Sequence, residues 1–506
     1  MTAGLRERDG VTTHQTAVLA CICVCTVLVT GFVASINLAV PKLAASTLHP
    51  SASQLLWIVD AYVIIFACLV IPAGALGDRI GRKGVLLSGL LIFAAGAVVS
   101  ASAADVAVML VGRAVTGLGA ACVLPNALAV LIHATAPERR PHAIAVWASA
   151  SGIGGVVGNL GGGAILTAGS WRWLFAAVAP IAALCALWVA LGTPRSSRHD
   201  RSLRVTAVLL LTAATFALLI GITQGPENGW GSALVVGSFV SSAVLSAAWV
   251  STELKAEHPL LDPHLFTIPA LRAASLGMLI VFFGMFGFFY LNASLLQYGR
   301  GFSVLQTGLA IMPMTLPLVV GTRYIPGLVK RFGGRTVIGV AFLLISIGLY
   351  GLALGLHQSY LVYAVWLVVI GIGVTLALPT LTAEISGALP REQAGVAGGL
   401  QSTTRELGSA LGVAVIGTIL TSQFAHHLDR GVGTDPAAHT VAEALAAAPM
   451  RHDTVIAAYV SGAETALKIV AALVLVVGAL IVTEMTWSTR CFERIRNAGA
   501  EGQRNR

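Results

Sequence analysis

The chain predicts an all-α polytopic membrane protein, and three observations carry that prediction. Of its 506 residues 56% are hydrophobic and 10% charged, with a mean hydropathy of +0.85, whereas about a quarter of the residues of a soluble domain are charged. The apolar residues gather in runs of roughly 20, the length a helix needs to cross the hydrocarbon core. Lys and Arg gather in alternate connections between those runs. Continuous apolar runs lack the alternation of a barrel wall, so the spans read as helices.

About fourteen runs follow one another, at 16–40, 53–75, 84–102, 106–133, 141–167, 173–192, 203–222, 230–251, 272–297, 304–330, 334–356, 360–385, 393–422 and 464–485. An even number puts both termini on one side. The connections on that side hold Arg6 and Arg8, then Arg79, Arg82 and Lys83, then Arg139 and Arg140, then Arg195, Arg198, Arg201 and Arg204. They continue with Lys255 and Arg272, Lys330, Arg331 and Arg335, Arg391, and Arg490, Arg494, Arg496, Arg504 and Arg506. The other side holds only Lys42, Arg172, Arg300, Arg430 and Arg451. Both termini are therefore expected in the cytoplasm, and the net charge of +9 reports topology and anionic lipid headgroups, not nucleic acid.

Other classes drop out. Cys21, Cys23 and Cys25 scatter around one helix, Cys68, Cys122 and Cys185 lie in other spans and Cys491 in the tail, so neither an outer-loop disulfide nor a metal site is expected. The first apolar run is long and follows a short polar start, which reads as a retained span and not a cleaved leader. No Walker-type glycine loop points to ATP. No nucleophile–base pair or ligand set appears within the spans, so no catalytic residue, metal or cofactor is expected and the chain reads as no enzyme. Trp57, Tyr62, Phe282, Phe283, Phe286, Phe288, Phe289 and Tyr290 suit either lipid-facing and interhelical packing or a cavity, in which Tyr62 and Tyr290 are the first choices for lining.

The densest motif is Gly74-Ala75-Leu76-Gly77-Asp78-Arg79-Ile80-Gly81-Arg82-Lys83-Gly84, a basic loop between the second and third runs. Its glycines allow tight turns, Asp78 suits a helix N-terminus and its cations mark the cytoplasmic side. The pattern resembles the loop between spans two and three of the major facilitator superfamily. Leu110 to Ala121, with Arg113 inside, is similar to that family's fourth-span signature, in which the Arg takes part in proton handling; an interior Arg needs a partner, and an interfacial one snorkels. Gly154, Gly158, Gly162 and Gly163 match its antiporter motif in the fifth span, with Asn159 where Pro is usual. Small residues at that spacing let backbones touch, as suits a seam that opens and closes.

The six, two and six arrangement of runs resembles the fourteen-span drug:proton antiporters, the EmrB/QacA type. The resemblance implies the major facilitator fold, with a six-span half at 1–195, a linker with two additional spans at 196–262, a second six-span half at 263–490 and a cytoplasmic tail at 491–506. A polar outer segment at 423–463 separates the last two spans. Relatives often carry an acid in the first span, where Phe32 stands here, followed by Asn37 and Pro41, which match; Asn37 joins the cavity residues. Asp60, in Trp57-Ile58-Val59-Asp60-Ala61-Tyr62, is the implied replacement as proton and cation site, the other reading being an acid that ties helices together. Glu406 is the second candidate, with Arg405 and Glu384 offering a plain ion-pair explanation. The implied activity is efflux of an amphipathic small molecule in exchange for protons, by a functional monomer in a bacterial cell membrane. The alternatives are export of an endogenous metabolite with other or no coupling, and a transport-inactive sensor. Loss of export on collapse of the proton gradient separates them.

Overall fold

The computed structural model describes residues 2–44, 46–50, 52–193, 204–257, 259, 261–389, 393–431 and 451–504. Six long helices come first: α1 (Thr2–Ala44), α2 (Ala52–Ile80), α3 (Arg82–Ala101), α4 (Val106–Ala134), α5 (Arg140–Ala168) and α6 (Arg172–Gly192). A hairpin follows, α7 (Val205–Asn228) and α8 (Ala233–Glu253). The second set is α9 (Pro269–Arg300), α10 (Val304–Ala310), α11 (Met312–Gly321), α12 (Ile325–Phe332), α13 (Gly334–Leu354), α14 (Tyr360–Ala388), α15 (Ala394–Gly431) and α16 (His452–Arg504). Among the described residues, thirteen helices are long and apolar enough to cross a membrane. Leu184, Leu191 and Leu361 are each more than 60% exposed, as side chains against lipid are and side chains against water are not.

Three expectations from the sequence are corrected here. The tenth run, 304–330, is not one helix but α10, α11, a 3-10 turn at Thr322–Tyr324 and α12. Pro313, Pro317 and Pro326 remove backbone donors through this stretch, and membrane helices break where neighbours re-satisfy the freed carbonyls. The basic loop at 74–84 is almost no loop: α2 runs through Ile80, α3 starts at Arg82, and Gly81 alone makes the turn at φ 111°, which a side chain would strain. The outer segment at 423–463 is shorter, because α15 reaches Gly431 and α16 starts at His452; residues 432–450 lie outside the described ones. The linker at 194–203 lies outside them too.

Two apolar cores account for the packing. One gathers buried residues from Val18 to Val189, on α1 to α6; the other gathers Leu271 to Met485, on α9 to α16. The α7–α8 hairpin belongs to neither. Leu219 of α7 packs with Ile64, Ala67 and Cys68 of α2 and against Leu407 and Ala410 of α15, while Ala207 and Trp249 pack with Val396 of α15. The added pair thus lies along the seam where the two sets of helices meet. At its far end Asp262 caps the 3-10 turn Pro263–Thr267, and the His264 N–H holds its carboxyl below the usual carboxylate range.

Within each core one seam is backbone on backbone. A Cβ at Gly154 would strike Thr30, one at Gly158 the Gly31 carbonyl, and one at Gly162 the Ser35 side chain. The glycine stripe of α5 therefore faces α1 inside the same core. Gly163 meets only Leu38, at 3.8 Å. Asn159 is half-buried with no hydrogen-bond partner among the described residues, and α5 runs through it unbroken. The second core repeats the device, with Gly408 and Gly412 of α15 seated on the Leu279 and Phe283 carbonyls of α9.

Close seams leave no room for a methyl group. Gly158→Ala and Gly412→Ala should each lower stability by about 1–3 kcal/mol. Gly155→Ala and Gly161→Ala, whose new methyl meets nothing within 4 Å, should stay within about 0.5 kcal/mol of wild type. Thermal unfolding of the four purified variants checks this; equal midpoints would mean that the seam is loose.

Candidate functional site

The motif residues meet at one end of the junction between the two cores. Asp78, in the last turn of α2, accepts from Arg82 Nε at 2.8 Å across the Gly81 turn and from the Val396 N–H at 3.2 Å in the first turn of α15. The first N–H groups of a helix lack intrahelical partners and favour a negative charge. One carboxylate thereby ties α2, α3 and α15 together. Beside it, Gly398 and Gly399 of α15 seat on Pro125 and Ile71, so that a Cβ would come within 2.8 Å of their backbone. Lys83 Nζ donates to the Ala190 and Thr193 carbonyls, at 2.8 and 2.6 Å, at the end of α6. Gly74 is buried and Arg79 half-buried on α2. Gly77 admits the buried Asn126, which donates to Ala73 O and Cys122 O at 3.1 and 2.9 Å.

Further along α2 lies a column of cations and rings. Arg113 of α4 is fully buried, an interior group and not one that reaches an interface. Its Nε donates to the Ile58 carbonyl at 2.7 Å and its Nη2 to Val59 O at 3.3 Å, while Nη1 has no partner among the described residues. The guanidinium lies 4.8 Å from the centre of the Tyr62 ring and 5.3 Å from that of Phe32. Asp60, half-buried on the next residue of α2, acts on it by charge.

A charge at mid-membrane costs about 2.5–3.5 kcal/mol on insertion scales, and a desolvated cation–π contact returns about 2 kcal/mol. Two rings therefore offset much of what an acid would. Phe32 is held for this edge-on against Tyr62, Phe93 and Phe175, with centroids 5.4–6.2 Å away. At position 32 this chain places an aromatic clamp on Arg113.

Tyr62 stacks on Phe66 at 6.1 Å, and the column then crosses to the second core. Arg405 of α15 lies 5.8 Å from the Phe66 ring and 5.8 Å from the Phe282 ring of α9, and Phe282 stacks on Phe286. The Arg405 guanidinium contacts Glu406, with Nε and Nη2 each 3.1 Å from Oε1. Both side chains are 14% exposed. Glu384 takes no part, lying instead against Gly334. Asp60, Tyr62, Arg113 and Glu406 are thus brought together around one column. Tyr290 stands apart, half-exposed beside Gly417. Asn37 belongs to α1, and its side chain lies outside the described residues.

Reasoning from the sequence missed Phe66, Ser149 and Thr322, and named Phe282 only among aromatics that either pack or line a cavity. Phe66 and Phe282 are set four residues from Tyr62 and Phe286, the spacing at which helix neighbours stack, and that spacing was the available signal. Arg405 was read only as a partner of acids. A hydrogen bond between the buried hydroxyls of Ser149 and Thr322 joins α5 to the break in the tenth run, and nothing in a serine or a threonine announces it. Among the described residues no group of three His, Cys, Asp or Glu is placed to hold a metal ion.

Residues 22–413 match the sequence model of the Major Facilitator Superfamily. The chain is 31% identical over 416 residues to multidrug resistance protein Stp of Mycobacterium tuberculosis, covering 81% of this chain and 77% of that one. It is 31% identical over 380 residues to the tetracenomycin C resistance and export protein of Streptomyces glaucescens, covering 74% and 70%. The fold superposes on the human organic anion transporter MFSD10 with a TM-score of 0.63 at 18% identity, over 92% of this chain and 99% of that one. The chain belongs to the major facilitator superfamily.

Proposed function

We propose that this protein exports an amphipathic small molecule across a bacterial cell membrane in exchange for protons, without catalysing a reaction. The observation that carries the reading is the cation–aromatic column at the junction of the two helix sets, with Glu406 in contact with Arg405 and Asp60 near enough to act on Arg113 by charge. Asp60 accompanies Arg113 and Glu406 accompanies Arg405. A buried carboxylate holds a proton or a cation, and one excludes the other. Exchange follows when the two halves, 1–195 and 263–490, alternately open the column to each face of the membrane. The names of the two curated relatives support a drug or antibiotic as cargo, and the rarity of acids among the described spans leaves few other groups to carry the proton.

In this reading the Gly81 end is cytoplasmic, because its turn carries Arg79, Arg82 and Lys83, and both termini share that face. The contacts of Asp78, Gly398 and Gly399 close it. The column works within one chain, so a monomer suffices. Export of the cell's own metabolite uses the same geometry, and collapse of the proton gradient leaves such export running if coupling is absent.

Two measurements test the reading. Asp78→Ala removes the cap on α15 and should favour arrangements open at this end, with transport several-fold lower and the protein still in the membrane. Cysteines introduced near Gly398 should react faster with a membrane-impermeant thiol reagent from the cytoplasmic face; unchanged labelling with normal transport would reduce the turn to a topology signal. Asp60→Asn should abolish proton release when a cationic substrate is added to purified protein, with Asp60→Glu keeping part of it. Equal release from wild type and Asp60→Asn would transfer the proton to Glu406.

A further inference from the structure

One buried acid takes no part in the site described above. The apolar stretch of α8 is mostly turned outward, with 17% of it buried. Its buried residues are Val235, Ser242 and Trp249, seven apart and so on one stripe, and Glu253, one turn beyond Trp249. The stripe faces α7, where Ser242 Oγ donates to the Ala214 carbonyl at 2.9 Å. At the Gly81 end Trp249 gathers with Ala207 and Leu261 around Val396, the residue whose N–H Asp78 caps. The backbone of Val396 is therefore held by α2 and its buried side chain by the hairpin. Leu261 lies beyond α8, and Glu253 brings it there: the Glu253 side chain is fully buried, its Oε2 accepts from the Leu261 N–H at 3.3 Å, and Arg204 Nη1 lies 3.7 Å from its Oε1. Arg204, just before α7, also donates to the Thr252 carbonyl at 2.9 Å. A buried carboxylate is costly unless paired and hydrogen-bonded, so these groups hold one another in place.

From this arrangement we propose that the α7–α8 hairpin braces the closed Gly81 end. Trp249 and Leu261 clasp Val396, and Glu253 is the positioning residue that presents Leu261 to it. The proposal rests on the reading that the two helix sets part at this end, and not on what is carried or on proton coupling. Parting α2 from α15 breaks the Asp78 cap. The hairpin is packed on both, with Leu219 against Ile64, Ala67 and Cys68 of α2 and against Leu407 and Ala410 of α15, so it must leave one of them. Its hold on α15 is the longer one, because the turn after α7 also reaches that helix through Trp230 Nε1, which donates to the Thr418 hydroxyl at 3.1 Å. Apolar surface uncovered around Val396 adds to the cost of opening, and the brace thereby biases the population toward the closed arrangement.

Spin labels test this without substrate or gradient. Cysteines placed at Ile80 of α2 and Gly387 of α14, both exposed, in a purified full-length protein otherwise free of cysteine, report the separation of the two helix sets by pulsed EPR. Trp249→Ala should raise the population of a longer separation roughly tenfold, as loss of part of one buried ring does. Glu253→Ala should act alike, while Glu253→Gln, whose amide oxygen still accepts from the Leu261 N–H, should stay within about twofold of the parent protein. Leu261→Ala replaces Glu253→Ala should that variant fail to fold. Val396→Ala should match Trp249→Ala, and the two together should do little more than either, since both remove one contact. Val240→Ala, exposed on α8, should change nothing. Fully additive effects of Trp249→Ala and Val396→Ala would overturn the brace, and equal shifts in Glu253→Ala and Glu253→Gln would overturn the part given to Glu253. A longer separation in Asp78→Ala, but in none of the hairpin or Val396 variants, would overturn the brace alone. Its absence from all of them, Asp78→Ala included, would overturn the reading that this end opens as well.

Discussion

A guanidinium fully buried within the first helix core is the constraint on which the rest of the site depends. Arg113 satisfies two donors on carbonyls of α2, and those carbonyls are of Ile58 and Val59, immediately before Asp60. The rotation of α2 about its axis is fixed by that contact. With the rotation fixed, Asp60 comes under the charge of Arg113, Tyr62 comes beneath its face, and Phe66, one turn on, comes to the junction with α9 and α15. At the far end of the same helix Asp78 reaches the first turn of α15. One interaction thereby sets the phase of the Asp60 carboxylate, an aromatic ladder and the Asp78 cap on α15.

The two helix sets solve the same problems in the same order. Each has a glycine seam between its first and fifth spans, counting α10 to α12 as one broken span, α1 with α5 and α9 with α15. Each has a turn of one glycine with positive φ, at Gly81 and Gly333. Between the sets, α2 meets α15 while the broken tenth run meets α5, through Ser149 and Thr322. The symmetry fails where chemistry enters. Asp60, Arg113 and Asp78 are in the first set, Arg405 and Glu406 in the second, and the α7–α8 hairpin covers only the seam of α2 with α15. That seam is kept from lipid, and the other one is not covered by the hairpin.

The fold was legible because lipid imposes a rule that a sequence displays directly: long apolar runs with cations gathered on one side. The rule fails where a run is apolar but not helical throughout, as at 304–330, since hydropathy does not register the loss of donors at Pro313, Pro317 and Pro326. The polar residues of the site were legible for the opposite reason. Asp60, Arg113 and Glu406 stand out because a charge in a span is costly and so seldom present without a use. Their surroundings were not. Phe32 reads as one more apolar residue until Arg113 is seen above its ring, and Phe66 and Phe282 are indistinguishable in sequence from aromatic residues that merely fill space. Contacts across a junction between halves depend on how two separately folded cores dock, which no local pattern records.

The closed end of the junction also carries a cost. Asn126 Oδ1, Ser151 Oγ and Thr403 Oγ1 are buried without partners among the described residues, and they lie on α4, α5 and α15, the helices that make or adjoin the junction. An unsatisfied buried polar atom costs about 1–3 kcal/mol, and water admitted between the halves removes that cost. Against it stand the Asp78 cap and the backbone contacts of Gly398 and Gly399, which separation gives up. The two contributions oppose one another in the balance between the closed arrangement and any open one. In the efflux reading proposed above, a ligand with a modest preference for one arrangement then shifts the population.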